Sequence, residues 1–259
     1  MTSKMAKQAP IKVNRRDILK VTALMGGLAA GGSLLDRVLV PGPVKVSEQR
    51  YLMGTLIHLT VIAESREAGR AAVSAVFVRM EDRIRLFDHR RPDGPLARLN
   101  RQGKLDDPPG ELVVLLRKAL AIGDLTAGAF DITVKPVIDA YRHGSRDISA
   151  ELQRVDYRQV EVADHQVSFG IPGMQVTLDG IAKGRVVDAG IQALKSFGFD
   201  RVLVEAGGDL FAHGLDQDER PWKVAVMHPR PRSEQRWLAT LDVSDRAVAT
   251  SGDYMNSFT

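Results

Sequence analysis

Five times along this 259-residue chain an apolar segment ends in a corner that combines glycine with a polar or charged side chain. The corners are Met53-Gly54-Thr55, Ala127-Gly128-Ala129-Phe130-Asp131, Thr177-Leu178-Asp179-Gly180-Ile181-Ala182-Lys183-Gly184, Glu205-Ala206-Gly207-Gly208-Asp209 and Thr250-Ser251-Gly252-Asp253. Backbone without side chains lets a ligand approach closely and can aim N–H groups at phosphate oxygens. Lys183 adds a point charge, and a helix opening at Gly184 turns its positive end toward an anion. Each corner alone is an ordinary turn. Together, at the ends of elements, they point to a phosphorylated ligand or a metal ion without choosing between the two.

Hydrophobic periodicity sets the elements between the corners. Over residues 51–62 apolar residues alternate with Thr55, His58 and Thr60, which predicts a strand. Val73, Val76, Phe77, Met80, Ile84 and Phe87 recur at helical spacing and mark one helix face. Residues 88–94, with Pro92 and Gly94, form a loop, and a short helical turn follows over 96–99. Leu112, Leu115, Leu116, Ala119 and Leu120 predict a helix ended near Gly128. Short strands are expected over 159–162, 167–169 and 174–178. A helix from Gly184 buries Val187, Ile191 and Leu194 and closes at Gly198; strands then cover 201–205, 210–212, 222–227, 237–243 and 247–250. Mixed helices and strands that finish in a run of strands indicate an α+β fold, a mostly antiparallel sheet with packed helices, over a doubly wound one.

The net charge of +4 invites a nucleic-acid reading, so the position of the charge matters. Up to Val40 seven basic residues face only Asp17 and Asp36, giving +5 and leaving 4 − 5 = −1 for the rest. A near-neutral body has no footprint for DNA or RNA. The basic front has the layout of an export signal: residues 21–35 lack charge, and Pro41 and Gly42 follow. A membrane span needs about 20 apolar residues, and this stretch is diluted by Gly26, Gly27, Gly31 and Gly32. Immediately before it, Asn14-Arg15-Arg16-Asp17-Ile18-Leu19-Lys20 resembles a twin-arginine signal. Residues 1–40 are therefore expected to direct Tat export to the periplasm or the outer face of the cytoplasmic membrane, the competing reading being an amphipathic helix or retained anchor. The absence of cysteine suits an oxidising compartment without disulfides and excludes thiolate metal sites and thiol nucleophiles.

Several familiar chemistries lose their anchors: the chain contains no G-x-x-x-x-G-K-[ST], no G-x-G-x-x-G after a strand, no H-E-x-x-H and no G-x-S-x-G. The histidines at 58, 89, 143, 165, 213 and 228 lack metal-ligand spacing and read as surface or satisfied side chains.

Taken in order, the segments resemble the ApbE family of FAD:protein FMN transferases. The resemblance rests on Met53 to Thr55, the turn ending Ala97-Arg98-Leu99-Asn100, Gly128-Ala129-Phe130-Asp131-Ile132-Thr133 with Pro136, Ile181-Ala182-Lys183-Gly184 with Asp188, Gly207-Gly208-Asp209, and Ala249-Thr250-Ser251-Gly252-Asp253-Tyr254. It implies that FAD lies across the corners, with Met53, Ala129, Phe130, Asp131 and Lys183 among its contacts and Gly207, Gly208 and Ser251 in the corners themselves. Arg90 falls near a family Tyr that touches FAD, and Thr177 stands where the family commonly has Asp. A backbone oxygen at Gly180 is implied to help hold Mg²⁺. The implied reaction is metal-assisted: a Thr or Ser hydroxyl of an exported or membrane electron-transfer protein attacks the FMN phosphorus and AMP leaves. No catalytic side chain is assigned. The family continues past the S-G-x-Y strand with a His-bearing segment and an Asp-Ala-x-x-Thr motif, so the domain over 41–259 is expected to lack its C-terminal segment; an FAD-binding accessory protein without transferase activity is the alternative. The expected partners are FAD and a flavin-acceptor protein with a Thr or Ser target, no nucleic acid, and a membrane only through the signal or the acceptor.

Overall fold

Ile57, Leu59 and Val61 alternate along one face of a strand and are fully buried, which makes this strand the floor of the core. The computed structural model describes residues 42–232 and 235–250; the twin-arginine segment and Ser251 lie outside the described residues. Strand β1 (Val44–Leu52) pairs antiparallel with β2 (Thr55–Ala63), and Met53 and Gly54, both with positive φ, make the turn between them. The single strand expected over 51–62 is thus a hairpin corner followed by β2. Positive φ at both central residues is the two-residue turn that follows strand twist, but its usual sequence is Asn-Gly or Asp-Gly. Methionine at the first position hid it.

The principal sheet runs β1-β2-β6-β7-β10, with β6 (Val202–Ala206), β7 (Asp209–His213) and β10 (Arg246–Val248), and its pairings are all antiparallel. Ile57 pairs with Ala206, and Leu210 with Val248. This register brings the Met53-Gly54 turn, the Gly207-Gly208 turn and the chain leaving β10 to the same end of the sheet.

Helix α1 (Arg66–Phe87) covers the sheet with Val73, Val76, Phe77, Met80, Ile84 and Phe87 buried. Burial of such side chains contributes roughly 1.5–3 kcal/mol each. Ser65 caps the helix, its Oγ accepting from Ala68 N at 3.1 Å. Next come α2 (Pro95–Gln102), β3 (Lys104–Asp106), α3 (Gly110–Leu125), α4 (Lys135–Arg142) and α5 (Ser149–Leu152), then β4 (Val160–Val162) and β5 (Gln166–Phe169). Strands β3, β5 and β4 form a small second sheet. Helix α6 (Asp179–Ser196) packs on α1, where Gly190 admits Met80 Sδ; a Cβ there would lie 3.1 Å from the sulfur. Strands β8 (Trp222–Arg232) and β9 (Gln235–Val243) form a separate hairpin, with Trp222 buried at its base. Among the described residues no helix is long and apolar enough to cross a membrane.

Two expectations are corrected here. Residues 174–178 bury Met174, Val176 and Leu178 but join no ladder, because the side chain of Asn100 stands in for a neighbouring strand. Its Nδ2 donates to Val176 O at 2.9 Å and its Oδ1 accepts from Val176 N at 2.8 Å. Helix α6 begins at Asp179 rather than Gly184: Leu178 O accepts from Ile181 N at 3.0 Å and from Ala182 N at 2.7 Å and starts the helical bonding, with Thr177 Oγ1 accepting from Asp179 N at 3.2 Å just before it.

Candidate functional site

The corners that the sequence scatters over about two hundred positions come together at one end of the principal sheet and the start of α6. On the sheet side, Gly207 and Gly208 turn β6 into β7 with φ of +60° and +95°. A Cβ on Gly207 would lie 2.3 Å from Thr55 Oγ1, and one on Gly208 3.4 Å from Thr250 Oγ1. Three corners therefore touch one another through glycine. Their N–H groups are not aimed outward: Gly207 N donates to Leu56 O at 3.2 Å, and Gly208 N donates to Glu205 Oε1 at 2.7 Å. These glycines supply close approach, while Glu205 supplies the anchor. The other oxygen of Glu205, Oε2, lies 3.8 Å from His58 Nε2. Met53 packs half-buried against the core beneath this corner.

The connection to the helix side is ionic. Asp209, the first residue of β7, meets Lys183 with 2.6 Å between Oδ2 and Nζ. Lys183 lies in the second turn of α6, so the N–H groups left without intrahelical partners belong to the turn at Asp179 and Gly180. Gly180 faces the Phe130 ring, where a Cβ would stand 3.1 Å from Cε2. Phe130 is fixed in turn by its own N–H donating to Thr126 Oγ1 at 3.0 Å, and Ala129 beside it is exposed. Asp131 points into the protein: Oδ1 accepts from Thr133 N at 2.7 Å and Oδ2 accepts from Tyr157 N at 3.1 Å. It holds the Phe130 loop in place. Thr177 is buried just before α6, its Oγ1 accepting from Asp179 N.

Arg90 closes the ring by donating through Nη1 and Nη2 to Asp179 at 3.1 and 2.5 Å. The hydrogen bonds to Asp179 raise the pKa of Arg90 further. Burial works against the charge on Asp179, yet the hydrogen bonds and charge of Arg90, with His89 and Arg142 nearby, hold the carboxyl below the ordinary range. His89 is neither surface nor satisfied: its side chain is 7% exposed and Nδ1 lacks a hydrogen-bond partner. Burial first, then the charges of Arg90 and Lys135, push the imidazole pKa down, against Asp179 and Asp88. The 3.9 Å contact between His89 Nδ1 and Asp179 is an ion pair only with a protonated ring, and the buried surroundings favour the neutral one.

Sequence reasoning assigned no role to Glu205, Asp179, Asp209 or His89. The first three stand inside the quoted corners, so acidity beside positive-φ glycine was the available signal. His89 had none, because burial of a loop residue is decided by distant packing. Among the described residues no group of three or more His, Asp or Glu side chains could hold a metal ion. The carboxylates of Asp179 and Asp209 are already committed to Arg90 and Lys183. The Gly180 carbonyl lies in the first turn of α6, directed along the helix axis. These residues do not form a ready-made Mg²⁺ cage.

The class these features define is an antiparallel α+β domain with glycine corners, a lysine, an arginine and a helix start gathered at one sheet end. The ApbE family model matches residues 53–259, and the chain belongs to the ApbE family. The chain is similar to the FAD:protein FMN transferase of Vibrio cholerae serotype O1, at 28% identity over 87% of this chain and 72% of that protein. It is also similar to the FAD:protein FMN transferase of Klebsiella pneumoniae, at 27% identity over 80% of this chain and 63% of that protein. Among solved structures it resembles the flavin transferase ApbE from Vibrio cholerae, with a TM-score of 0.71, 26% identity and coverage of 82% of this chain and 72% of that one. The ApbE protein from Thermotoga maritima gives a TM-score of 0.74 at 26% identity, covering 82% and 71% of the two chains.

Proposed function

We propose that this protein is a FAD:protein FMN transferase, exported by the twin-arginine route and acting on a Thr or Ser hydroxyl of an exported or membrane electron-transfer protein. The observation that carries this reading is the convergence of the glycine corners with Arg90, Lys183 and the start of α6, in a chain of the ApbE family. Gly207 and Gly208 let Thr55 and Thr250 pack closely at the sheet end, and Gly180 admits the Phe130 ring, which offers a flat apolar surface beside the start of α6. Arg90 and Lys183 supply charge for a diphosphate. Met53, Ala129, Asp131 and Thr177 shape the surrounding loops, and Ser251 belongs to the same proposed site.

In the proposed reaction the acceptor hydroxyl oxygen forms a new bond to the FMN phosphorus, and the bond from that phosphorus to the bridging diphosphate oxygen breaks. The bridging oxygen leaves with AMP, and the hydroxyl proton goes to solvent or to a base. Positioning and charge neutralisation supply most of such catalysis. Mg²⁺ belongs to this reading as an ion that uses one or two carboxylates plus substrate phosphates rather than a protein cage. Gly180 is the residue proposed to contribute a backbone oxygen.

The test is incubation of the purified protein with FAD, Mg²⁺ and a flavin-free acceptor domain. Covalent FMN on the acceptor, matched by released AMP and abolished by EDTA, is the expected result. Tight FAD binding with an unmodified acceptor would instead favour the FAD-binding accessory protein, and no FAD binding would remove both readings.

A further inference from the structure

Arg90 reaches the cradle with its guanidinium already engaged. Its two terminal nitrogens donate in parallel to the two oxygens of Asp179, at 3.1 and 2.5 Å. This two-pronged geometry suits carboxylate and phosphate alike. Asp179 is also the first residue of the 18-residue helix α6, whose positive end favours an anion. A further, independent group points to the same place: His89 is 7% exposed at its side chain, has Nδ1 unpartnered, and stands 3.9 Å from Asp179 Oδ1. A helix start, a guanidinium and a buried imidazole thus converge on one carboxylate. At 44% exposure that carboxylate is free to turn outward, and Arg90, at 51%, can receive another anion.

We propose that Asp179 is a specificity-determining residue whose carboxylate occupies an anion subsite at the start of α6 in the free protein, so that a diphosphate-bearing ligand binds by displacing it from Arg90. The identity of that ligand as FAD rests on the proposed function. Displacement sets a threshold: a ligand without phosphate gains nothing at Arg90, and a diphosphate outcompetes a single carboxylate by carrying more charge into the same two-pronged contact. Asp179 is ionised at neutral pH, since Arg90 holds its pKa down against burial, so it competes as an anion.

The experiment is calorimetric titration of the full chain with FAD, inorganic pyrophosphate and riboflavin, in wild type and in the variants Asp179→Asn and Asp179→Ser. Both variants are expected to bind FAD and pyrophosphate about two- to fivefold more tightly, a range set by the loss of one partly exposed ion pair. Riboflavin, which has no phosphate, is expected to bind all three proteins equally. Unchanged or weaker pyrophosphate binding in folded variants would overturn the proposal, and so would failure of both variants to fold, which would make Asp179 structural. The outcomes separate this inference from the flavin reading. A wild type blind to FAD whose variants gain pyrophosphate affinity sinks the flavin reading alone; FAD binding with no gain in either variant sinks the displacement alone.

Discussion

Gly207 and Arg90 border the same cradle, yet they are held there by different forces. On the sheet side the corners are locked by contact: Gly207 lies against Thr55, Gly208 against Thr250, and their N–H groups are bonded to Leu56 O and Glu205 Oε1. On the helix side the corners are held by charge, through Arg90 with Asp179 and Lys183 with Asp209, all of them partly exposed. Packing contacts of this kind cannot be exchanged without moving strands. Partly exposed ion pairs are worth only about 0.2–1 kcal/mol and can be traded for a ligand's charge. The shape of the proposed cradle is therefore set by packing, while its charge is held by pairs that another anion can replace.

The most disruptive way to break the sheet side is Gly207→Ala. The added methyl would lie 2.3 Å from Thr55 Oγ1 and 3.0 Å from its Cβ, at a φ of +60° that a side chain rarely adopts. Threonine is stiff at χ1 and has little room to retreat. A loss of about 2–4 kcal/mol is expected, read as a lower urea midpoint at unchanged slope. Adding Thr55→Gly should restore most of the steric part and leave about 1 kcal/mol of backbone strain. A Gly207→Ala protein as stable as wild type would show that contact does not fix this side.

The same division governs how much of the site was legible. The sheet side could be read because two-residue turns with positive φ restrict sequence so sharply that Gly54, Gly207 and Gly208 declare themselves. Only Met53 obscured its hairpin, letting the alternation of β2 run back through the turn. The helix side was read less well. Gly184 looked like a helix start, whereas Leu178 O takes the first helical bonds and sets the start at Asp179, and Lys183 falls in the following turn. The extended segment 174–178 has the right alternation for a strand, but the partner of Val176 is the side chain of Asn100, which no local pattern announces. The antiparallel α+β class followed from the order of elements, which needs no knowledge of partners.

Lys183→Ala sharpens the comparison from the helix side. A charge-assisted hydrogen bond to phosphate is worth about 1.5–3 kcal/mol, and release from Asp209 on ligand binding returns part of that. The net expectation is about tenfold weaker FAD binding in a flavin-fluorescence titration. The urea midpoint should move by the equivalent of less than about 1 kcal/mol, because the pair it removes is partly exposed. Equal FAD affinity in both proteins would confine Lys183 to holding Asp209.

The smallest effect belongs to His89 and is carried by pH. Burial lowers its folded pKa below the ordinary 6.5, and Arg90 and Lys135 press in the same direction. As pH falls below the unfolded value, the unfolded chain takes up a proton that the folded chain still refuses, so stability is full above that value and declines toward the folded pKa. Asp179 does not share this window: its lowered pKa gives a contribution present above the ordinary carboxylate value of 3.8 and lost only at still lower pH. The thermal midpoint of wild type is therefore expected to drop between about pH 7.5 and 5.5, the interval bracketing ordinary histidine titration. His89→Gln removes the titration and keeps a polar side chain, so its midpoint should fall less over the same interval. The difference between the two slopes isolates His89 from every other titrating group. Parallel slopes would mean that folding leaves its titration unchanged, and a wild-type midpoint that falls less than the variant's would mean that the ring carries its proton in the folded state. In that case His89 belongs with Arg90 among the charges that hold Asp179, and the helix side is more firmly locked than the exposure of its ion pairs suggests.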